Sequence, residues 1–329
     1  MGKRGSMMFT SGIDLRQSFT LAASVINSGG IVMEVQVEGI VIPISHPEKM
    51  IWKEAGFTKA DYIRYLLEVS DYMLPYTKDR MLMYWLYPHG MHQPKVEKRS
   101  RPEKAPEWLV STFYKEKERI LLHDKATLLW LANWGALEFH VPFDQYTKPD
   151  FPSDLVFDLD HSPEEFGDVL EISLILKKVL DGLGLTSHVK TSGKTGLHLF
   201  VPIEPLFSFA EARRVNQFIA QYIQEKYPGK VTLERVKERR GNKLYFDYLQ
   251  LWKGRTIAVP YGLRAIENAL VSTPVTWEEL SSGFHPSDFT PSVVLQRLRE
   301  KGDLFATTHK IKEENTSRVY EILSFTKKA

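Results

Sequence analysis

Apolar and polar positions along this chain fall into short blocks, and each block predicts an element. "MEVQVEGIVIPI" (33–44) is apolar at every second place and reads as a hairpin with Glu38-Gly39 near its turn. "TKADYIRYLLEVSDYML" (58–74) shifts to helical spacing, opened by a capping box of Thr58 and Asp61. "RMLMYWLYP" (80–88) reads as a strand, and the basic "KVEKRSRPEKAP" (95–106) as a loop. "KATLLWLANWGALEFHVPF" (125–143) predicts a helix running into a strand near Leu137. A strand over 154–161 follows, then a helix over 163–184, a strand–turn–strand over 187–203 and a helix over 209–227. Strands over 243–250 and 255–260 and an amphipathic helix over 293–305 complete the pattern. Helices and hairpins mixed in this order predict an α+β fold rather than a strict βαβ alternation.

Composition narrows the function classes. At 329 residues the chain is long for one small core, so two subdomains are expected. A net charge of +2 makes any nucleic-acid surface local. The absence of cysteine excludes disulfides and thiolate zinc sites and fits a cytoplasmic protein. No apolar run is long enough to span a bilayer, so no membrane partner is expected. No secretory signal is evident, and the opening "MGKRGS" is assigned no role.

The chemistry begins in "DLVFDLDH" (154–161). In a strand, Leu155, Phe157 and Leu159 share one face, while Val156, Asp158 and Asp160 share the other. Two carboxylates set side by side repel, and desolvation worsens it, so a cation between them is expected. Such a pair can bridge two hard divalent cations. The plainer alternative is a strand end, with Asp160 or Ser162 capping the next helix.

Two further segments point the same way. In "TSGKTGLHLF" (191–200), Gly193 and Gly196 permit a tight turn and close approach to a ligand. Ser192, Lys194 and the turn's N–H groups can hold phosphate oxygens, with His198 in the strand that follows. The spacing is not that of a P-loop. A glycine hairpin with a solvated lysine and a packed histidine is the alternative. In "LYFDYLQLWKGRTIAVPYGLRA" (244–265), Asp247 interrupts an apolar strand, and Gln250 and Arg264 can reach the same cleft. A salt bridge from Asp247 to Arg240 or Lys243 is the alternative there. Taken together, three acids and a phosphate-type turn are the equipment of two-metal phosphoryl transfer from a nucleoside triphosphate.

The order DLD, SGxxGxH, FxDYLQ…GxTxxxPYxxRA resembles the polymerase domain of bacterial ligase D, in the archaeo-eukaryotic primase superfamily, which acts in non-homologous end joining. The resemblance covers roughly residues 33 to 305. It implies a primase-type catalytic core, an RRM-like antiparallel or mixed sheet packed on an N-terminal α/β module. The expected layout is an extension over 1–32, partly disordered, the α/β module over 33–150, the catalytic subdomain over 151–305 and a C-terminal tail over 306–329.

The implied activity is template-directed nucleotidyl transfer, filling gaps or extending ends, with two divalent cations (Mn2+ or Mg2+) and use of ribonucleotides. Asp158, Asp160 and Asp247 match the metal carboxylates; Ser192, Gly193, Lys194, Thr195, His198, His140, Gln250 and Arg264 match the nucleotide site. "HPEKMIWKEAGFTKAD" (46–61) resembles the family's grip on a downstream 5′-phosphate, with His46, Lys49 and Lys59 in the binding positions. For Lys59, free N–H groups at a helix N-terminus would add to the attraction. Lys95, Lys98, Arg99 and Arg101 make a basic loop, and Arg240 lies in a second one; both are candidates for DNA contact. The implied partners are 5′-phosphorylated gapped or broken DNA, nucleoside triphosphates, a Ku-like end-binding protein and a separate ligase, all in the nucleoid.

Some positions depart from the family pattern. Trp85 stands where a nucleotide lysine is expected, and Lys95-Val96 where a template-stacking aromatic pair is expected. Loss of such stacking is worth about 1–3 kcal/mol per base. No KxDG ligase motif occurs, so the expectation is a stand-alone polymerase or an excised domain. The rival readings are a non-catalytic 5′-phosphate end binder with the same fold, and a metal-dependent nuclease using the same acids.

Overall fold

The computed structural model describes residues 19–27, 30–161 and 165–326. Three antiparallel strands open it: β1 (Phe19–Asn27), β2 (Gly30–Val37) and β3 (Ile40–Ser45). The β2–β3 turn falls at Glu38-Gly39, both with positive φ, the twist that a two-residue hairpin needs. A short pair, β4 (Met50–Trp52) and β5 (Phe57–Thr58), leads into α1 (Lys59–Thr77). Helix α1 starts at the expected capping box and turns Tyr62, Ile63, Leu66, Leu67 and Met73 into the core.

β6 (Met83–Leu86) and β7 (Val96–Lys98) follow, then the hairpin β8 (Ser111–Tyr114) and β9 (Lys117–Ile120). α2 (Lys125–Asn133) runs into β10 (Ala136–Pro142), and β11 (Asp144–Gln145) pairs with β12 (Lys148–Pro152). The second half contains β13 (Asp154–Asp160), α3 (Phe166–Gly182), β14 (His188–Thr191), β15 (Leu197–Pro202) and α4 (Phe209–Lys226). It continues through β16 (Val231–Thr232), β17 (Leu244–Asp247), β18 (Thr256–Ala258) and β19 (Pro274–Val275). Helices α5 (Trp277–Ser282), α6 (Pro291–Lys301) and α7 (His309–Thr326) complete the described fold.

Two sheets matter for function. One has the order β18-β10-β6-β7, all antiparallel. The other has the order β16-β17-β13-β15-β14-β19, antiparallel except for the parallel β16–β17 pair. Leu159 lies directly across from Phe246, and both are fully buried with Phe157, which meets Phe246 edge-on at 5.8 Å. Alternation therefore turns Asp158 and Asp160 to the other face.

Several expectations change here. The segment 95–106 is not all loop, because β7 pairs with β6 in it. The strand expected over 243–250 stops at Asp247, where the chain tightens into a 3₁₀ turn over Tyr248–Gln250. Of the extension over 1–32, residues 19–27 and 30–32 are strand; the rest lies outside the described residues.

The residues past 305 are a packed helix rather than a tail. Asn315 of α7, fully buried, accepts from Thr186 N and donates to Thr186 O and Pro202 O, while Val319, Ile322 and Leu323 join the core. The boundary at 150 is not a structural seam either, since β18 returns from the second half to pair with β10. One hydrophobic core runs from Val35 to Leu323 through both sheets, because the strands of each half bury their inner faces against the same interior.

Candidate active site

Strand register assembles the acids. Asp158 lies directly across from Asp247 on one side and from His198 on the other, and Asp160 lies across from Tyr245. Directly opposed residues share a face, so Asp158, Asp160, Asp247, His198 and, one strand further, Lys190 project together. Burial pushes the Asp158 carboxyl up to about 7; Asp160 and Asp247 add to the shift, and Lys190 and Arg264 oppose it. That is the signature of like charges gathered on a desolvated face.

The donor set is hard oxygen and fits Mg2+ or Mn2+. Among the described residues, the set of three ligand-type groups with ligating atoms all within 4.8 Å is His161, Glu165 and Asp168. The strand acids stand wider apart, as mutually repelling carboxylates do. Each already has a polar neighbour: Thr195 Oγ1 donates to Asp160 (2.6 Å), and Arg255 Nη1 is 3.3 Å from Asp247. Arg255 thus takes the place expected for Arg240 or Lys243. Arg240 instead stacks on Tyr245, 3.7 Å from its centroid, and donates to Glu234 O and Arg235 O.

The glycine turn lies over these acids. Ser192 Oγ accepts from Lys194 N and Gly196 N, closing the loop on itself. A Cβ at Gly196 would stand 2.4 Å from Leu159 O, and one at Gly193, whose φ is +74°, would stand 2.5 Å from Arg264 Cγ. Both glycines therefore permit contact, one with the acid strand and one with the arginine. Arg264 donates to Ser192 O and, through Nε, to Glu138 at 2.9 Å.

Glu138 organises the opposite wall. Only 1 % exposed, it accepts from Tyr87 Oη, His140 Nε2, Arg264 Nε and Ala265 N. Burial alone would raise its pKa, but the His140 hydrogen bond and then the charges of Arg264 and Lys194 hold it well below the usual carboxylate range. Burial lowers His140 to about 4, despite Glu138. The imidazole is neutral at physiological pH, so Nε2–H donates to Glu138 and Nδ1 is an acceptor.

His198 is fixed from behind. Lys190, 0 % exposed, places Nζ 2.8 Å from His198 Nδ1 and 2.6 Å from Ser272 Oγ, which donates onward to Thr191 O. His198 Nε2 faces Asp158 at 3.5 Å. Burial first, and then Arg264, hold the Lys190 pKa well below its usual value. Gln250 touches the acids only indirectly: its Oε1 accepts from Arg255 and its Nε2 donates to Thr256 O.

The structure does not leave the α1 N-terminus open to an anion. Lys59 N donates to Lys49 O, Ala60 N to Pro47 O and Asp61 N to Thr58 Oγ1. Lys59 Nζ is turned inward to Ser45 O (2.8 Å) and Asn133 O (2.9 Å), and burial lowers its pKa to about 8. Of the three residues expected to grip a 5′-phosphate, His46 and Lys49 are exposed and Lys59 is buried.

Of the basic loop, Lys95 Nζ sits 4.0 Å over Trp85, Arg99 pairs with Glu97 and reaches Gly254 O, and Lys98 lies across from Tyr84. Arg101 is structural, donating to Ala105 O and Pro106 O.

Sequence reasoning missed Glu138, Lys190, Arg255 and Ser272. Glu138 carried the same signal as Asp247, an acid inside an apolar strand, and so did Lys190 in "SHVKT". Nothing local marked Ser272 or Arg255.

Comparison with known proteins identifies the family. Residues 58–305 match the family model described as LigD, primase-polymerase domain. The chain is 39 % identical over 257 residues to the bifunctional non-homologous end joining protein LigD of Bacillus subtilis (strain 168), covering 78 % of this chain and 42 % of that protein. It is 28 % identical over 274 residues to the multifunctional non-homologous end joining protein LigD of Mycolicibacterium smegmatis, covering 80 % of this chain and 36 % of that one. The chain therefore spans less than half the length of these relatives. A solved structure of the polymerase domain from Mycobacterium tuberculosis Ligase D in complex with DNA superposes with a TM-score of 0.74 at 27 % identity, covering 80 % of this chain and 96 % of that one.

Proposed function

Since the chain belongs to the LigD primase-polymerase family, we propose that it is a template-directed nucleotidyltransferase that fills gaps or extends ends in DNA break repair by non-homologous end joining. The observation that carries the reading is the register pairing of Asp158 with Asp247, under a glycine turn locked by Arg264. The family resemblance and the DNA-bound neighbour support the substrate class.

Asp158, Asp160 and Asp247 are the residues that would hold two divalent cations, Mn2+ or Mg2+. When bound, such ions supply charge neutralisation and an activated attacking hydroxyl. The protein's own part is positioning. The Ser192–Gly196 turn offers the Lys194 cation to phosphate oxygens, while its own hydrogen bonds, from Ser192 N, Lys194 N and Gly196 N, hold its shape. His198, its ring held by Lys190, turns Nε2 toward the acids, beside the place a phosphate of a bound nucleotide would take. Glu138 orients His140, which burial keeps neutral, and holds Arg264 extended beside the turn. Use of ribonucleotides belongs to this reading, as do 5′-phosphorylated DNA ends, nucleoside triphosphates, a Ku-like partner and a separate ligase.

Primer extension on a gapped duplex with a 5′-phosphate tests the proposal, with ribo- and deoxynucleotides and with Mn2+ and Mg2+ separately. Template-dependent addition requiring metal is expected. DNA binding without addition under either metal would leave the non-catalytic end-binder reading, and strand shortening without triphosphate would leave the nuclease.

A further inference from the structure

Around Glu138 the cations outnumber the acid. Lys194 reaches down from the glycine turn to 3.9 Å from Glu138 Oε1, while Arg264 and His140 hold Oε2. One buried carboxylate is thus shared among several donors. From the other wall comes Lys95, whose ammonium rests 4.0 Å above the indole of Trp85. Trp85 lies directly across from Glu138, and Glu97 directly across from Trp85. Lys95, just before β7, reaches the same face through its contact with the Trp85 ring. The acid on its own strand, Glu97, is held by Arg99 at 2.6 Å. Lys95 and Lys194 also sense each other: after burial and Arg264, Lys95 contributes to lowering the Lys194 pKa. Two ammonium groups that repel across a cleft are stabilised by an anion placed between them.

We propose that Lys95, seated on Trp85, binds the triphosphate of the incoming nucleotide from the wall opposite Lys194, rather than a phosphate of the DNA backbone. This rests on the cleft being the nucleotidyl-transfer site. Trp85 acts as a positioning residue. An ammonium held against an indole face is kept in place before the ligand arrives, and less side-chain freedom is lost on binding.

The test is calorimetric titration of the full chain, without DNA, with a non-hydrolysable nucleoside triphosphate and Mn2+. Lys95→Ala is expected to weaken binding about tenfold, the size of one charge-assisted contact. It should leave a nucleoside monophosphate, which lacks the distal phosphates, nearly unaffected. Trp85→Ala should weaken triphosphate binding in the same direction by a smaller factor. Adding Trp85→Lys to Lys95→Ala should recover most of the loss, because the charge then returns from the neighbouring strand. Unchanged triphosphate affinity in Lys95→Ala, with weaker binding to gapped duplex, overturns the assignment and makes Lys95 a DNA contact. Failure of the wild-type chain to bind triphosphate overturns the reading of the cleft and this assignment with it. Lys95 is exposed, so its truncation leaves the fold intact.

Discussion

Lys190 Nζ, buried from solvent, lies 2.8 Å from His198 Nδ1. Through this contact a residue that touches none of the three acids holds the His198 ring with Nε2 toward Asp158. Lys190→Met should therefore cut nucleotide incorporation at least tenfold while leaving DNA binding intact. Stability should fall by only about 1–3 kcal/mol, the cost of leaving His198 Nδ1 and Ser272 Oγ without their partner. Primer extension beside chemical denaturation separates the two effects.

Asp158 predicts a pH dependence of the metal-free protein. Its folded pKa, near 7, lies above its ordinary value of 3.8. Between these values the unfolded chain releases a proton that the folded chain keeps, so this residue's contribution to stability falls as pH rises from about 4 to about 7 and then levels off. Denaturation in the presence of a chelator should show Asp158→Asn gaining on the wild type across that window. The same substitution should abolish incorporation. Parallel pH profiles for the two proteins would contradict the crowding of these acids.

Glu138 behaves in the opposite sense. Its folded pKa lies below the ordinary 4.5, so its contribution is present above that pH and is lost as the solution is acidified below it. Glu138→Gln should destabilise by about 3 kcal/mol at neutral pH, because Arg264 keeps its burial and loses its counter-charge. It should also raise the KM for nucleotide more than it lowers kcat. A melting curve and a steady-state titration check both parts.

The two lysines of the candidate 5′-phosphate site should part company. Lys49→Ala should weaken binding to a 5′-phosphorylated gap relative to a 5′-hydroxyl gap, with no change in Tm. Lys59→Ala should lower Tm as well, since its ammonium ties Ser45 O to Asn133 O. Equal effects of both variants on phosphate discrimination and on melting would refute this division.

Asn315→Leu should destabilise by roughly 3–5 kcal/mol, because Thr186 N, Thr186 O and Pro202 O lose their partners inside the core. Denaturant titration measures this directly, and a loss below 1 kcal/mol would refute the structural role of Asn315.

The sequence by itself determined the local elements and the chemistry they carry. Period-two and helical spacing placed the β2–β3 hairpin, α1 with its capping box, and β13 with its acids on the polar face, because burial on one side dictates the repeat. The acid triad and the glycine turn were legible for the same reason: charge and glycine are conspicuous in apolar strands. Tertiary structure decided what a linear pattern cannot encode, namely register and return paths. Only pairing across strands set Asp158 opposite Asp247 and Trp85 opposite Glu138. Only folding brought Arg255 rather than Arg240 to Asp247, drew the Lys59 ammonium into backbone carbonyls, and sent β18 back to the first sheet. A side chain's partner is whichever group lies within about 3 Å after collapse, and that distance is fixed by packing, not by position along the chain.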